Sequence, residues 1–94
     1  MGKSNLVFRS VLVKEKNGFT ALCLDTDVAS EGETPKEAKA HLREAVELYG
    51  ESAVENNLPV IRPVPKKENP LLTREKDVVD DFVLNLSFRV TAHV

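Results

Sequence analysis

Few side chains in this 94-residue chain are equipped for chemistry. Cys23 and His41 are a nucleophile and a base by type, and a thiol beside an imidazole is a known catalytic pairing. Cys23, however, falls in the apolar run Phe19-Thr20-Ala21-Leu22-Cys23-Leu24, where cysteine serves as a small buried hydrophobe. His41 falls at the rim of a helical apolar stripe. The pair therefore reads as a core cysteine and a rim histidine. His41 and His93 have no further ligand at metal spacing, so no metal centre is expected. There is no phosphate-cradling glycine loop and no nucleophile elbow, so neither a cofactor nor an acyl-transfer site is expected.

Two charged groups remain. Asp25, Asp27, Glu31 and Glu33 follow one another closely and are expected near one end of a sheet. They read either as a solubilising rim or as a docking surface for a basic partner. Arg62, Lys66 and Lys67 lie between prolines and read as a solvated loop, with nucleic-acid contact as the alternative.

The element that must hold the acidic group opens at Glu33-Thr34-Pro35-Lys36-Glu37-Ala38. Thr34 can cap the first free backbone amides, and Pro35 sits where its missing N–H costs nothing. Glu37 can reach back to the N–H of the cap residue and complete a capping box. Ala38, Leu42, Ala45, Val46 and Tyr49 then recur at helical spacing. Gly50 could close this helix, but one glycine is tolerated at about 1 kcal/mol. The spacing of Val54 and Leu58 favours a helix that continues to Glu55 and stops at Asn56-Asn57.

A helix with one apolar stripe needs a sheet to lie on. Leu6 to Lys14 is rich in β-branched and aromatic residues and apolar on both faces, which predicts an interior strand or one with a face covered by a partner. Asn17-Gly18 is a strong hairpin signal, expected to fill both central turn positions. Phe19 to Leu24 is the return strand, and Val28 to Glu31 a short third one. Pro59, Pro63, Pro65 and Pro70 forbid a regular helix or central strand. They predict an extended arm, with Val60-Ile61 available for brief edge pairing and a turn of helix between Thr73 and Asp81. From Phe82 to Val90, apolar and polar residues alternate, the mark of a strand with one buried side. That strand could pair in its own sheet or cross to another subunit, making Phe82, Leu84, Leu86 and Phe88 candidate subunit contacts.

The expected fold is α+β: a three-stranded antiparallel sheet in β-β-β-α order packed by one helix, with an extra C-terminal strand after a proline-rich arm. Residues 1–58 form the core unit, 59–81 the arm and 82–94 the final strand, within one structural domain. So short a chain has a small core and gains from self-association, so a dimer or tetramer is expected. A net charge of -2 and a pI near 5.7 argue against nonspecific nucleic-acid binding. One cysteine cannot form an internal disulfide, which makes a reducing, cytoplasmic setting the default. No apolar run approaches the roughly 20 residues of a membrane span, and the N-terminus lacks signal-peptide and myristoylation patterns.

The ordered set of motifs resembles the HicB-like antitoxin family. The matching residues are Gly18-Phe19-Thr20-Ala21, Cys23-Leu24-Asp25, Ser30-Glu31-Gly32-Glu33-Thr34-Pro35-Lys36-Glu37-Ala38, Leu42, Glu44-Ala45 and Leu48-Tyr49. They correspond to the family's G-x-x-A and C-P-D-L-P-G patterns and to the second E-A pair, and they resemble G-x-T-x-E-A with one residue more between Thr34 and Glu37. Leu24 stands where the family often has proline, and Thr26-Asp27-Val28 replaces Leu-Pro-Gly. The resemblance covers Leu6 to Tyr49 and implies a partial RNase-H-like fold. No convincing DNA-binding helices follow the arm, so a stand-alone domain without the family's usual hold on operator DNA is implied. The first strand carries no carboxylate for two-metal nuclease chemistry, so an enzyme is not expected. The implied partner is a small basic HicA-like RNA-cleaving toxin, met by Asp25, Asp27, Glu31 and Glu33 and neutralised by masking.

Overall fold

In a computed structural model of the protein, residues 2–90 are described, with side chains from 6 to 87. His93 and the side chain of Phe88 lie outside the described residues. The fold is α+β: one four-stranded antiparallel sheet and one long helix. The strands are β1 (Gly2–Glu15), β2 (Gly18–Cys23), β3 (Val28–Gly32) and β4 (Val78–Val90), ordered β3-β2-β1-β4. The helix α1 spans Pro35–Glu55, and the arm is interrupted by the one-turn helix α2 (Pro70–Thr73), with 3-10 turns at Lys66–Glu68 and Glu75–Asp77 on either side of it. Among the described residues, no helix is long and apolar enough to cross a membrane.

β1 is the interior strand that its two apolar faces predict. Ser10 to Glu15 pair with β2, and Gly2 to Val13 pair with β4. Phe8 and Leu12 point to the helix side, among Ala21, Cys23, Leu42, Val46, Leu84 and Leu86. Val11 and Val13 point to the other side, where Leu24, Val64, Leu71 and Val78 cover them. The arm thus supplies the second cover. It is fixed there by Arg62 N–H donating to Asp25 O (2.8 Å) and Val64 N–H to Leu24 O (2.9 Å). The expected pairing at Val60-Ile61 is not made; Val60 packs on the core and Ile61 is exposed.

The hairpin closes one residue earlier than its Asn-Gly signal suggests. Lys16 and Asn17 form the loop, and Gly18 already pairs with Glu15. Gly18 has φ 143°, and a Cβ there would stand 2.7 Å from the Gly32 carbonyl oxygen. Glycine is needed for backbone conformation and for close approach together.

The helix starts at Pro35 and runs to Glu55, the longer of the two expected forms. Glu37 N–H donates to Thr34 Oγ1 at 3.1 Å. The Glu37 carboxylate accepts from Glu33 N–H at 3.2 Å, one residue before the cap residue predicted for it. The first bond satisfies an amide that the helix start leaves unpaired, and the second ties the incoming chain to the first turn. At the other end Asn57 takes φ 56°, Leu58 N–H reaches Ala53 O (2.7 Å) and Asn57 N–H reaches Val54 O (3.2 Å). That is a Schellman stop, with asparagine in the place usually held by glycine. The fully buried seam is Ala38, Leu42, Val46, Gly50 and Ala53; Ala45 and Tyr49 sit half-buried beside it.

The turn of helix expected between Thr73 and Asp81 is present as a 3-10 turn at Glu75–Asp77, but β4 begins straight after it at Val78, four residues before the alternation is clean. A register shift at Leu12/Val13 opposite them explains why the alternation is hidden there. Within its own chain β4 pairs with β1 along the whole described ladder. Leu84 and Leu86 are buried under α1, and Phe82 is half-buried against the same core. The side of β4 expected to meet another subunit is therefore occupied by the chain's own helix.

Candidate functional site

The four acidic residues expected together are divided between the two ends of β3. Asp25 and Asp27 lie in the turn that enters it; Glu31 and Glu33 lie at its exit. A five-residue strand separates them by one strand length, roughly 13–17 Å. Asp25 is structurally engaged: its Oδ2 accepts from Arg9 N–H at 2.7 Å, just where the β1–β2 ladder ends. Asp27 is exposed with φ 57°, a left-handed turn residue.

Glu31 and Glu33 instead join a second acidic group. A depression of about 490 Å³ at the hairpin end is lined by Glu15, Lys16, Thr20, Glu31, Glu33 and Glu37, among others. Glu31, Glu33 and Glu37 are exposed. Glu15 is held in place: Arg74 donates to both its oxygens (2.8 and 3.3 Å), and Thr20 Oγ1–H donates to Oε2 at 2.8 Å. The Arg74 guanidinium, then the Thr20 hydroxyl, hold the Glu15 carboxyl below its ordinary value near 4.5. Arg74 is raised in turn, first by Glu15 and then by Asp77. This clamp ties the end of the arm to the hairpin that frames the depression.

Glu15 and Glu37 were not assigned to this surface from sequence. Glu37 was absorbed by the capping box, and Glu15 stands far from Glu31 along the chain. The signal that links Glu15 to Glu31 is the antiparallel register itself: Thr20 pairs with Glu31, and Gly18 with Glu15.

The remaining candidates separate. Cys23 is fully buried in the helix-side core. His41 is exposed on α1, where its Nδ1–H donates to Glu31 O at 2.7 Å, fixing the helix to β3. Among the described residues, no group of three or more His, Cys, Asp or Glu side chains is arranged to hold a metal. Arg62, Lys66 and Lys67 are exposed on the arm, and Arg62 lines a small hollow with Tyr49 and Pro59. The Tyr49 hydroxyl donates to Pro59 O at 3.1 Å and anchors the arm's start.

The depression is open to solvent and rimmed by exposed carboxylates. Comparison with protein-family models, with curated proteins and with solved structures finds no match to this chain.

Proposed function

We propose that the chain is a HicB-like antitoxin, or a module derived from one, that binds a small basic HicA-like RNA-cleaving toxin and masks it without catalysing a reaction. The observation that carries this reading is the joint between β3 and α1. Residues Gly32 to Ala38, which bear the family-like pattern, pack strand against helix with only backbone between them: a Cβ on Gly32 would lie 2.4 Å from Ala38 N. The motif residues thus have a joint role that fits their order in the sequence.

The docking surface is the acidic depression at the hairpin end, with Glu31 and Glu33 on its rim. Carboxylates here would steer a basic partner in and cover the positive surface it uses for RNA. Asp25 is a poorer contact because its carboxylate already holds Arg9 N–H.

The test is co-expression and pull-down with a small basic protein encoded beside this one. The expected result is a stable complex that relieves the partner's toxicity. Glu31→Lys with Glu33→Lys should weaken capture at least 10-fold without unfolding the chain, since both side chains are exposed. If no such neighbour is encoded, and none of the small basic RNA-cleaving proteins tried is bound, the reading fails.

A further inference from the structure

We infer that the sheet face opposite α1, where the arm leaves it bare, is the contact for a second copy of this chain. The antiparallel register decides which side chains share that face. Phe8 and Leu12 lie under α1, so the alternate residues Val7, Arg9 and Val11 of β1 point the other way. Their partners on β4 are Asn85, Val83 and Asp81. The arm covers only part of this face: Leu24, Val64, Leu71 and Val78 close over Val11 and Val13. The apolar face of β1 runs on past that cover. Val7 and Val83, on neighbouring strands, are 59% and 52% accessible. Beside Val83 lies a hollow of about 470 Å³, lined by Val11, Leu24 and Leu71 and by the two charged residues Arg9 and Asp81.

Charge selects the occupant. Arg9 and Asp81 are both exposed, and among the described residues neither forms an ion pair. Asp25 meets Arg9 at its backbone N–H, on the β2 side. The patch carries one charge of each sign and no net charge. It therefore gives no field for a nucleic acid, nor for the basic partner proposed at the hairpin end. It is complementary to itself instead. Arg9 with Val83, and Val11 with Asp81, are successive pairs on one face. The four side chains mark the corners of a rectangle, with the charges on one diagonal and the valines on the other. A two-fold axis laid over the Val11–Val83 diagonal, between two facing sheets, exchanges the charges. Each Arg9 then stands opposite the second copy's Asp81, and Val83 meets its own copy on the axis. Facing sheets pack about 10 Å apart, a gap that an arginine and an aspartate span together. The contact also removes from water the apolar surface that one chain leaves exposed at Val7 and Val83. It does not depend on the antitoxin reading.

The full chain is tested by sedimentation over a concentration series. Wild type should reach twice its 10.4 kDa mass. Val83→Lys and Val7→Lys, both at exposed positions, should each leave a folded monomer by circular dichroism. Val7 belongs to the interior strand β1, so its substitution leaves the outer edge of β4 untouched. Arg9→Asp makes the patch wholly acidic and Asp81→Arg makes it wholly basic. Each alone should self-associate at least 10-fold more weakly than wild type. Mixed in equal amounts, the two charge variants should form a heterodimer, which an ion pair within one chain would not produce. A wild type that stays monomeric to millimolar concentration overturns the inference. So does a dimer that survives either valine substitution, or a mixture of the charge variants that associates no better than each alone.

Discussion

Adding one methyl at Gly32 tests the joint on which the helix is seated. The new Cβ would lie 2.4 Å from Ala38 N, 2.8 Å from Ala38 Cα and 2.9 Å from the Glu37 carbonyl carbon. All three are backbone atoms, so no side chain can swing aside. Ordinary contact begins near 3.4 Å, so the first turn of α1 must retreat by about 1 Å. A gap of that size forfeits a quarter to a half of each dispersion contact it opens. Overpacking of this kind costs about 1–3 kcal/mol, partly offset by about 0.5–1 kcal/mol for replacing glycine in a strand. A net loss near 1 kcal/mol would lower the melting temperature by roughly 4–8 °C in a domain of this size. Urea unfolding followed by circular dichroism would show it as a midpoint shift of about 0.3–1 M. Ala38→Gly should not rescue it, because the clash is with the main chain. A change below about 0.5 kcal/mol, or rescue by Ala38→Gly, would refute the close approach.

Two further outcomes follow from burial and charge. Leu42→Ala, at a fully buried position, should cost about 2–5 kcal/mol, while Leu48→Ala on the same helix, 62% accessible, should stay within about 0.5 kcal/mol in thermal unfolding. Glu15 has a folded pKa below its unfolded one, so the Arg74 clamp stabilises fully above about pH 4.5 and is lost as pH falls through the lower folded value. Both ends of the pair are partly exposed, so salt weakens it and the effect is small. In Glu15→Gln, the difference in urea midpoint between pH 7 and pH 3.5 should be smaller than in wild type. An unchanged difference would remove Glu15 from the acid response.

The elements were legible because each announces itself within a few residues. Thr34, Pro35 and Glu37 are local signals, and so is the stop at Asn56-Asn57. The two-faced apolar pattern of Leu6 to Lys14 correctly marked an interior strand. The start of β4 was hidden, since a register shift beside Leu12/Val13 breaks the period-two pattern over 78–81. The loop was misplaced by one residue because Asn-Gly chemistry does not say which pair closes the ladder. Here Gly18 is held by its closeness to Gly32, a contact from another strand.

What local pattern cannot carry is the pairing of distant segments, and the candidate surfaces are made of such pairings. Asp25 and Glu33 are close along the chain yet stand at opposite ends of β3, while Glu15 and Glu31, far apart in sequence, border one depression. Lys39 and Arg43 are like charges one turn apart, a mildly unfavourable arrangement on an isolated helix. The sheet explains them: one reaches Asp80 and the other Asn85 O, on a strand some forty residues away. A like-charged pair on an exposed helix face is thus a readable sign that something outside the helix holds it. In this chain it is β4, whose Asp80 carboxylate and Asn85 carbonyl hold the two cations against the sheet.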